Sequence, residues 1–535
     1  MTFGCSRRRL LQALGTGAAA ALFAPFESAL AQTLPRNLVT KPRFDRDPFS
    51  LGVASGEPSA DGFVLWTRLA PEPLEQGGGM VMRPMIVTWE IAEDLQFRHG
   101  LISGQALARP ELAHAVHVEV SGLRPGRPYW YRFRIADALS TSGRAATLPA
   151  AGVRVDRVRF AVAGCQHYED GHFTAWRHLA EQPLDFVFHY GDYIYEGADR
   201  GPSARMLNGR AFTPLRRHLG GETYSLDDYR RRYAQYRSDA NLQRAHAAAP
   251  WFVSFDDHEV DNNWAADRDQ DNTPPELFLL RRAAAFQAFY EHMPLRRGSM
   301  PRHGQMQMFR RAMWGDLLTT HFLDTRQYRS DQINADRDGV LGQAALAPER
   351  SMLGFEQEAW LHAGLRSDGQ RWHAIAQQVG LANLAMRDRD SGQIIHSTDQ
   401  WGGYLANRRR LLAHVQARGL TNLVTVSGDA HRHFASDLLH DTGEGPVLSS
   451  EFLATSISSG GDGNGQDDDF HRHTSALNPQ LKTMIDRRGY LLCDVTRNVW
   501  HADLAVLHSV MTEDAPVRSH ARFAIERQRP GLQSA

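Results

Sequence analysis

Three segments of this chain carry side chains of the kinds that bind metal ions in enzymes. In the first, Asp192 and Tyr195 lie three residues apart between Gly191 and Glu196, so a tight turn can direct a carboxylate and a phenol at one point. A carboxylate can bridge two cations, and a tyrosinate favours a strongly Lewis-acidic trivalent ion such as ferric iron. A polar turn with a packing Tyr195 is the structural alternative.

The second segment follows an apolar stretch, residues 251–255. Asp256 and Asp257 come directly after it, and His258 and Asn262 follow closely. Carboxylates beside a buried strand are costly unless cations or hydrogen-bond donors accompany them. The pattern therefore favours a metal site over a solvated acidic loop.

The third segment, residues 427–433, ends another apolar stretch with Asp429 and His431. Side chains at positions i and i+2 of an extended chain point to the same side, as ligands of adjacent metal ions must. A lone histidine here would more often be structural, so the prediction of His431 as a ligand depends on the other two segments. His433 is expected to support a ligand from outside the coordination shell.

Two further residues complete the candidate site. The planar guanidinium of Arg326 suits a phosphate, so we expect it to contact the substrate, with an internal salt bridge to Asp324 as the alternative. Cys165 follows the apolar segment 158–163. A disulfide with Cys493 is one use for this thiol in an oxidising compartment, and a free Cys165 needs another purpose.

The candidate residues follow predicted strands of an alternating α/β region. From residue 156 onward, short apolar runs alternate with helical patterns such as residues 172–182. Sites in α/β architectures form at the carboxyl ends of strands, where several loops converge. The predicted strands of this region are residues 158–163, 186–190, 251–255, 318–323, 373–376 and 423–427. The Gly- and Asp-rich segment 458–469 lacks the spacing of an EF-hand loop and is predicted to be a mobile loop.

Residues 49 to about 150 have a different pattern, in which turn residues separate short alternating strands. Residues 123–129 end in a tyrosine before a strand, as in a β-sandwich of the fibronectin type III kind. We therefore predict an all-β domain at 45–150, a catalytic domain at 155–515 and a C-terminal tail at 516–535. The predicted strands of the all-β domain are residues 62–68, 85–91, 117–120 and 129–134.

The N-terminus predicts export. Arg7 and Arg8 precede an apolar run at residues 14–24, and Ala29 and Ala31 form an A-x-A cleavage pattern, as in a twin-arginine signal peptide over residues 1–31. An uncleaved anchor helix is the alternative, but the run is short for a membrane span. We expect the twin-arginine machinery to deliver the protein to the periplasm or the medium, without a transmembrane anchor.

Composition narrows the choice of substrate. The 535 residues are 42% hydrophobic and 23% charged, with a formal net charge of −1 and only three cysteines. Positive and negative residues are interspersed, so no region of one charge favours binding to nucleic acid or to an anionic membrane surface. With so few cysteines, no disulfide framework holds the fold. We expect a monomeric globular enzyme with a compact substrate.

Six motifs in order behind this signal resemble the alkaline phosphatase D family over residues 48 to about 500. They are Phe49-Ser50-Leu51-Gly52-Val53-Ala54-Ser55-Gly56-Glu57-Pro58, Gly62-Phe63-Val64-Leu65-Trp66-Thr67-Arg68, Gly191-Asp192-Tyr193-Ile194-Tyr195-Glu196, Asp256-Asp257-His258-Glu259, Asp324-Thr325-Arg326-Gln327-Tyr328-Arg329 and Gly428-Asp429-Ala430-His431. The resemblance implies an α/β fold: a small N-terminal fibronectin III-like sandwich, and a four-layer metallophosphoesterase core of a β-sandwich flanked by helices. It also implies one ferric ion with one or two calcium ions beside it.

The distantly related purple acid phosphatases suggest roles for the ligands. By this resemblance the iron shell is Cys165, Asp192, Tyr195 and His431, and Asp192 bridges to a second cation. That cation is held by Asp257, Asn262 and Asp429, with Asn263 as an alternative to Asn262. Carboxylates at positions where purple acid phosphatases have softer ligands favour calcium.

These roles together predict hydrolysis of phosphate mono- and diesters by a metal-activated hydroxide. Arg326 would stabilise the equatorial oxygens, and His258 would protonate the leaving oxygen or serve a structural hydrogen bond. Two alternatives stay open. One is a phosphodiesterase or phospholipase-type hydrolase of lipid or teichoic-acid phosphates, and the other is an exported binding protein without catalysis.

Overall fold

The computed structural model describes residues 35, 37–207, 210–367, 369–440, 445–465 and 469–535. The predicted signal peptide, residues 1–31, lies outside the described residues. The helices are α1 (Thr174–Ala180), α2 (Leu226–Arg237), α3 (Ala240–Ala248), α4 (Pro275–His292), α5 (Gly354–Gly364), α6 (Leu405–Ala417) and α7 (Asp469–Leu477). None of the helices in the described part of the chain has the length and apolar character needed to cross a bilayer.

The strands of the first half are β1 (Val53–Ser59), β2 (Gly62–Arg68), β3 (Met85–Ala92), β4 (Ile102–Ala108), β5 (Ala115–Val120), β6 (Pro128–Ile135), β7 (Ala138–Leu139), β8 (Gly143–Ala146), β9 (Arg157–Ala163), β10 (Phe186–His189), β11 (Arg205–Leu207), β12 (Arg210–Phe212) and β13 (Trp251–Val253). Those of the second half are β14 (Arg310–Trp314), β15 (Leu318–Phe322), β16 (Trp372–Ala376), β17 (Met386–Arg387), β18 (Ile394–Ile395), β19 (Leu423–Ser427), β20 (His433–Leu438), β21 (Ser449–Leu453), β22 (Leu481–Ile485), β23 (Gly489–Thr496), β24 (Val499–Leu507), β25 (Val517–Glu526) and β26 (Arg529–Ser534).

Two large sheets form the centre of the fold. One has ten strands in the order β26-β25-β24-β23-β9-β10-β13-β1-β2-β5, and the other has seven in the order β14-β15-β16-β19-β21-β20-β22. Their middle strands are parallel: β9, β10 and β13 in the first, and β15, β16, β19 and β21 in the second. Most residues of these strands are buried because both faces of each sheet are covered.

Side chains of β10 point alternately to the two faces of the sheet and show how the sheets and helices stack in layers. Phe186 and Phe188 pack toward the second sheet, in a core that includes Trp372, whereas Val187 packs with Trp176 of α1 on the opposite face. Helices α1 to α4 cover that outer face, and α5 and α6 cover the outer face of the second sheet. The order helices, sheet, sheet, helices confirms the predicted fold class.

The N-terminal strands form a sandwich that is continuous with this core. Strands β3, β4, β6, β7 and β8 make one sheet, which packs on β1, β2 and β5 through side chains such as Phe63 and Tyr131. Strand β1 is parallel to β13, with Gly56 opposite Trp251. A Cβ atom at Gly56 would lie 2.7 Å from the Trp251 carbonyl oxygen, so only glycine allows this close approach. The sequence did not reveal that the two predicted domains share a sheet.

Residues 516–535 are not the predicted tail. Strands β25 and β26 extend the ten-stranded sheet at its far edge, and Phe523 and Ile525 are buried in the core between the two sheets. Alternating apolar residues in this segment pack against the sheet, which explains why it is ordered.

Candidate metal centre

The loops after β9, β10 and β13 are tied together at one edge of the large sheet. The Cys165 amide donates to the Gly191 carbonyl (3.0 Å), and the Gln166 amide donates to the Asp192 carbonyl (3.1 Å). The buried carboxylate of Glu259 accepts hydrogen bonds from the amides of Asp192, Tyr193 and Asp256 at 2.6–3.1 Å. Glu259 therefore fixes the second loop against the third.

A thiol, a carboxylate, a phenol and an imidazole meet at this edge. The Tyr195 hydroxyl donates to Asp192 Oδ2 (2.7 Å) and lies 3.1 Å from His431 Nε2. Potential ligand atoms of Cys165, Asp192 and His431 all lie within 4.8 Å of one another. The structure thus brings together the four side chains for which the family resemblance implies an iron shell.

A second group consists of carboxylates. Ligand atoms of Asp256, Asp257 and Asp429 lie within 4.8 Å of one another, and those of Asp192, Asp257 and His258 do as well. Asp192 thus lies with Cys165 and His431 on one side and with Asp257 on the other, which is the position that a bridging carboxylate would need.

Three buried carboxylate oxygens show whether these residues suit metal ions. Asp192 Oδ1, Asp256 Oδ2 and Asp257 Oδ1 accept no hydrogen bond although each is shielded from solvent, and Asp257 Oδ1 has only an ion pair with Arg326 at 3.3 Å. Burial, with added repulsion from Asp257 and Asp192, raises the pKa of Asp256 well above its ordinary value, and burial with neighbouring carboxylates raises that of Asp429 to about 8. Buried carboxylates with open oxygens and excess negative charge are a donor set suited to cations.

The thiol and the phenol of the site also favour a bound cation. Burial and the carboxylates around them raise the pKa of both the Cys165 thiol and the Tyr195 phenol well above the ordinary values. A coordinated cation deprotonates such groups, so the site has a donor set whose charge a metal ion would balance.

Four of the predicted ligands have left-handed backbone conformations. The φ angles are +50° at Cys165, +55° at Asp192, +70° at Asp429 and +54° at His431. This region is sparsely populated for residues other than glycine and costs about 1–3 kcal/mol at each position. Such strain gathers at functional sites, where the surrounding fold holds side chains in a required direction.

Arg326 does not occupy the position expected of a substrate contact. Its side chain is fully buried, and its guanidinium pairs with Asp256, Asp257, Asp399 and Asp429. The alternative salt bridge to Asp324 is not formed either, because Asp324 Oδ1 accepts the backbone amide of Arg326 instead (3.1 Å). Arg326 holds the carboxylates of the site in place.

His258 lies within reach of the site. Burial opposes its charge, but Glu196, Asp257 and Asp192 raise its pKa well above the ordinary value. Its Nδ1 lies 2.7 Å from Glu196 Oε2, while its Nε2 lies 3.8 Å from Asp257 Oδ2. The side chain is 19% exposed, so the Nε2 proton can reach a bound molecule.

The choice between Asn262 and Asn263 stays open. The Asn262 side-chain amide donates to Gln270 (2.7 Å). Asn263 donates its backbone amide to Asp257 Oδ2 (2.9 Å) and its side-chain amide to Asp336 (2.9 Å). Asn263 therefore touches a predicted ligand directly, whereas the prediction of Asn262 as a ligand remains untested.

Two other predictions can be compared with the structure. His433 lies with its ring nitrogens 3.1–3.3 Å from the carbonyls of Ala505 and Leu453, and burial lowers its pKa to about 4, as for a structural histidine. Cys165 and Cys493 are both free and buried, so they do not form the alternative disulfide.

Sequence reasoning missed several residues that contact the ligands. Asp399 pairs with Arg326, and Gln400 donates a hydrogen bond to Asp429. Ser459 donates to the Tyr195 oxygen (2.7 Å), although it lies in the segment predicted to be a mobile loop. Asp399 and Gln400 follow no long strand, so no local pattern marks them. The serine pair before the glycines at 460 and 461 was the available signal for Ser459.

Comparison with known proteins shows which family this chain resembles. The family described as PhoD-like phosphatase matches residues 160–504, and the one described as PhoD-like phosphatase, N-terminal domain, matches residues 33–149. The chain is 44% identical over 493 residues to alkaline phosphatase D of Bacillus subtilis strain 168, which covers 92% of this chain and 83% of that protein.

Two solved structures resemble the fold. One, described as the structure of PhoD, aligns with a TM-score of 0.87 at 42% identity and covers 92% of this chain and 93% of its own. Purple acid phosphatase PPD1 from yellow lupin seeds aligns with a TM-score of 0.53 at 11% identity and covers 89% of this chain and 74% of its own. At that identity the second likeness shows a common fold alone.

Proposed function

This chain belongs to the PhoD-like phosphatase family, and we propose that it hydrolyses phosphate mono- and diesters at the metal centre described above. Its relationship to alkaline phosphatase D makes it a phosphatase, so the non-catalytic alternative is set aside. Diester hydrolysis and the individual roles of the site residues are parts of the proposal.

One observation carries the proposal. Side chains from loops far apart in the sequence converge so that Asp192 lies close to Cys165, Tyr195 and His431 on one side and to Asp257 of the carboxylate group on the other. Phosphoryl transfer needs positive charge beside the negatively charged oxygens around phosphorus. Two adjacent cation sites would provide it.

We assign a ferric ion to the group with Cys165 and Tyr195, and one or two calcium ions to the group with Asp257 and Asp429. Thiolate and phenolate suit a trivalent iron, whereas clustered carboxylates suit calcium. When bound, these ions lower the pKa of a coordinated water molecule and withdraw charge from the phosphoryl oxygens.

The protein's own groups prepare the site for this chemistry. Arg326 and Glu259 hold the carboxylates and loops in a fixed geometry, which spares the transition state the cost of reorganising them. His258 donates its Nδ1 proton to Glu196, and the second proton of the imidazolium, at Nε2, is the one that we assign to the leaving oxygen. The left-handed backbone conformations of the predicted ligand residues complete this preorganisation.

The decisive experiment replaces Asp192 with asparagine. Asp192→Asn removes the charge shared by both groups, and we expect loss of hydrolysis of 4-nitrophenyl phosphate by at least about 10³-fold. Asp137→Asn changes an exposed carboxylate in the turn between β6 and β7, and it serves as the matched control with full activity. Retained activity in Asp192→Asn would refute the proposed site.

The metal assignment has its own test. Elemental analysis of the purified protein should find iron and calcium, with a visible absorption band from charge transfer to iron. We expect Cys165→Ser and Tyr195→Phe to shift or abolish that band. Cys493→Ser and Tyr193→Phe change a buried thiol and a buried phenol away from the cluster and should leave it intact. A colourless, iron-free, active protein would contradict the assignment.

Location and assembly belong to the same proposal. We infer export through a twin-arginine signal at residues 1–31, cleavage after it, and a monomer in the periplasm or the medium. The boundaries 45–150 and 155–515 for the accessory and catalytic parts are likewise proposed. Lipid or teichoic-acid diesters remain the second candidate substrate class.

A further inference from the structure

A cavity of about 130 Å³ lies directly beside the proposed metal centre. Ala430 and Arg432, the residues on either side of His431 in the chain, line this cavity. Gln400 also lines it and donates a hydrogen bond to Asp429. The cavity therefore shares a wall with two of the predicted metal ligands.

The remaining walls are mainly apolar. They are made by side chains of β17, β20, β22 and α7 and of the segment before β17, namely Leu384, Met386, Phe434, Phe470 and Met484. The Arg432 guanidinium lies over the Phe470 ring (4.6 Å) and 3.6 Å from Asp486 Oδ2, so its charge is already met. The chemistry of this lining suits an uncharged organic group better than a second phosphate.

One polar side chain in the wall has open hydrogen-bonding capacity. Asn383 is only 7% exposed, yet neither its Oδ1 nor its Nδ2 has a hydrogen-bond partner. Gly402 lies against it, where a Cβ atom would be 2.7 Å from Asn383 Oδ1. A buried amide without partners is costly unless a ligand or water completes it. Asn383 thus offers a bound molecule one donor and one acceptor within an apolar lining.

We propose that this cavity, the ester pocket, binds the organic group of the phosphate ester whose phosphorus lies at the metal centre. This inference rests on the proposed function and names the substrate class: esters with a ring-sized apolar group, aryl or branched alkyl, that carries a polar atom for Asn383. An engineered apolar cavity of about 150 Å³ holds benzene, so a volume of 130 Å³ suits one ring.

Two pairs of substrates test the pocket in the metal-loaded enzyme. Ethyl and benzyl phosphate differ in the leaving alcohol. Methyl 4-nitrophenyl and benzyl 4-nitrophenyl phosphate share a leaving group and differ in the retained one. We expect kcat/KM to favour benzyl by at least about tenfold in one pair, as apolar pockets discriminate groups of this size. The first pair reports a leaving-group pocket, and the second reports a pocket for the retained group.

Variants link that preference to this cavity. Leu384→Trp fills the pocket and should abolish the preference for benzyl by lowering kcat/KM for the benzyl ester to that of the smaller ester. Leu139→Trp adds the same side chain at an exposed position of the N-terminal sandwich and is the matched control. If Leu384→Trp does not fold, Phe470→Ala removes one wall and should reduce the preference.

Binding of phosphonates, which are not hydrolysed, gives a readout apart from turnover. Calorimetry should show tighter binding of benzylphosphonate than of methylphosphonate to the wild type, and no difference with Leu384→Trp. Equal kcat/KM within both substrate pairs, or a benzyl preference that survives both variants, would overturn the proposal. If none of the four esters is hydrolysed, the proposed function fails, and the phosphonate comparison alone decides the ester pocket.

Discussion

Replacing Arg326 with methionine tests how the carboxylates of the metal centre are held together. The side chain is fully buried and pairs with four aspartates, among them Asp257 and Asp429 at 3.3 Å and Asp399 at 2.9 Å. Methionine has a similar length but no charge, so Arg326→Met leaves these carboxylates without their shared cation. Removing one partner of a buried ion pair costs about 3–5 kcal/mol.

That cost corresponds to about 10²- to 10⁴-fold in the folding equilibrium. It should be largest in the metal-free protein, because cations bound at Asp257 and Asp429 replace part of the lost positive charge. The assay is urea unfolding followed by tryptophan fluorescence, with and without a metal chelator. Arg326→Lys keeps the charge without the forked geometry and should recover part of the stability.

Arg154→Met is the matched control. Arg154 and its partner Asp156 are both largely exposed, so loss of this pair should cost no more than about 1 kcal/mol. The reasoning fails if Arg326→Met changes the free energy of unfolding of the chelated protein by less than about 1 kcal/mol. It also fails if the loss is larger in the metal-loaded protein than in the chelated one.

Three further predictions concern proton transfer, pH and export. His258→Gln should lower kcat for ethyl phosphate by about 10²- to 10⁴-fold but hardly affect 4-nitrophenyl phosphate, whose leaving group needs no proton; equal losses would contradict a role as general acid. Burial lowers the pKa of His117, which contacts the carbonyls of Tyr290 and Met293, to about 4. The unfolded chain takes up a proton near its ordinary pKa of 6.5 while the folded chain does not, so stability falls as pH drops from about 6.5 to 4, by at most about 3 kcal/mol. Urea unfolding of His117→Gln should show a smaller fall over that range, and an identical fall would refute the assignment. Replacing Arg7 and Arg8 with lysines should retain the protein in the cytoplasm of an expression host, as fractionation with an antibody would show, and unchanged export would exclude a twin-arginine signal.

Local patterns were sufficient to predict ten of the 26 strands that the described residues form. Strands β2 and β19 have the bounds predicted from the sequence, residues 62–68 and 423–427, because alternation or an apolar run between turn residues is a local signal. Strand pairing is not local. The contact of β1 with β13 joins residues almost 200 positions apart, and no feature of either segment specifies its partner.

In the candidate site, too, local features were predictable from the sequence and contacts between distant segments were not. Cys165, Asp192 and Asp429 were found because each follows a parallel strand, and such strands end at one edge. The direction in which Arg326 points depends on Asp256 and Asp399, which lie 70 and more positions away in the chain. Its residue type suited either a phosphate or carboxylates, and only the folded structure shows the carboxylates.

The sheet shared by the N-terminal sandwich and the catalytic core also bears on how the gene can change. The two family matches divide the chain between residues 149 and 160, but the ten-stranded sheet crosses that division through β1 and β13. A catalytic part inherited without its N-terminal partner would expose the edge of β13, and bare strand edges recruit other chains. We therefore expect recombination at this boundary to produce aggregation-prone proteins.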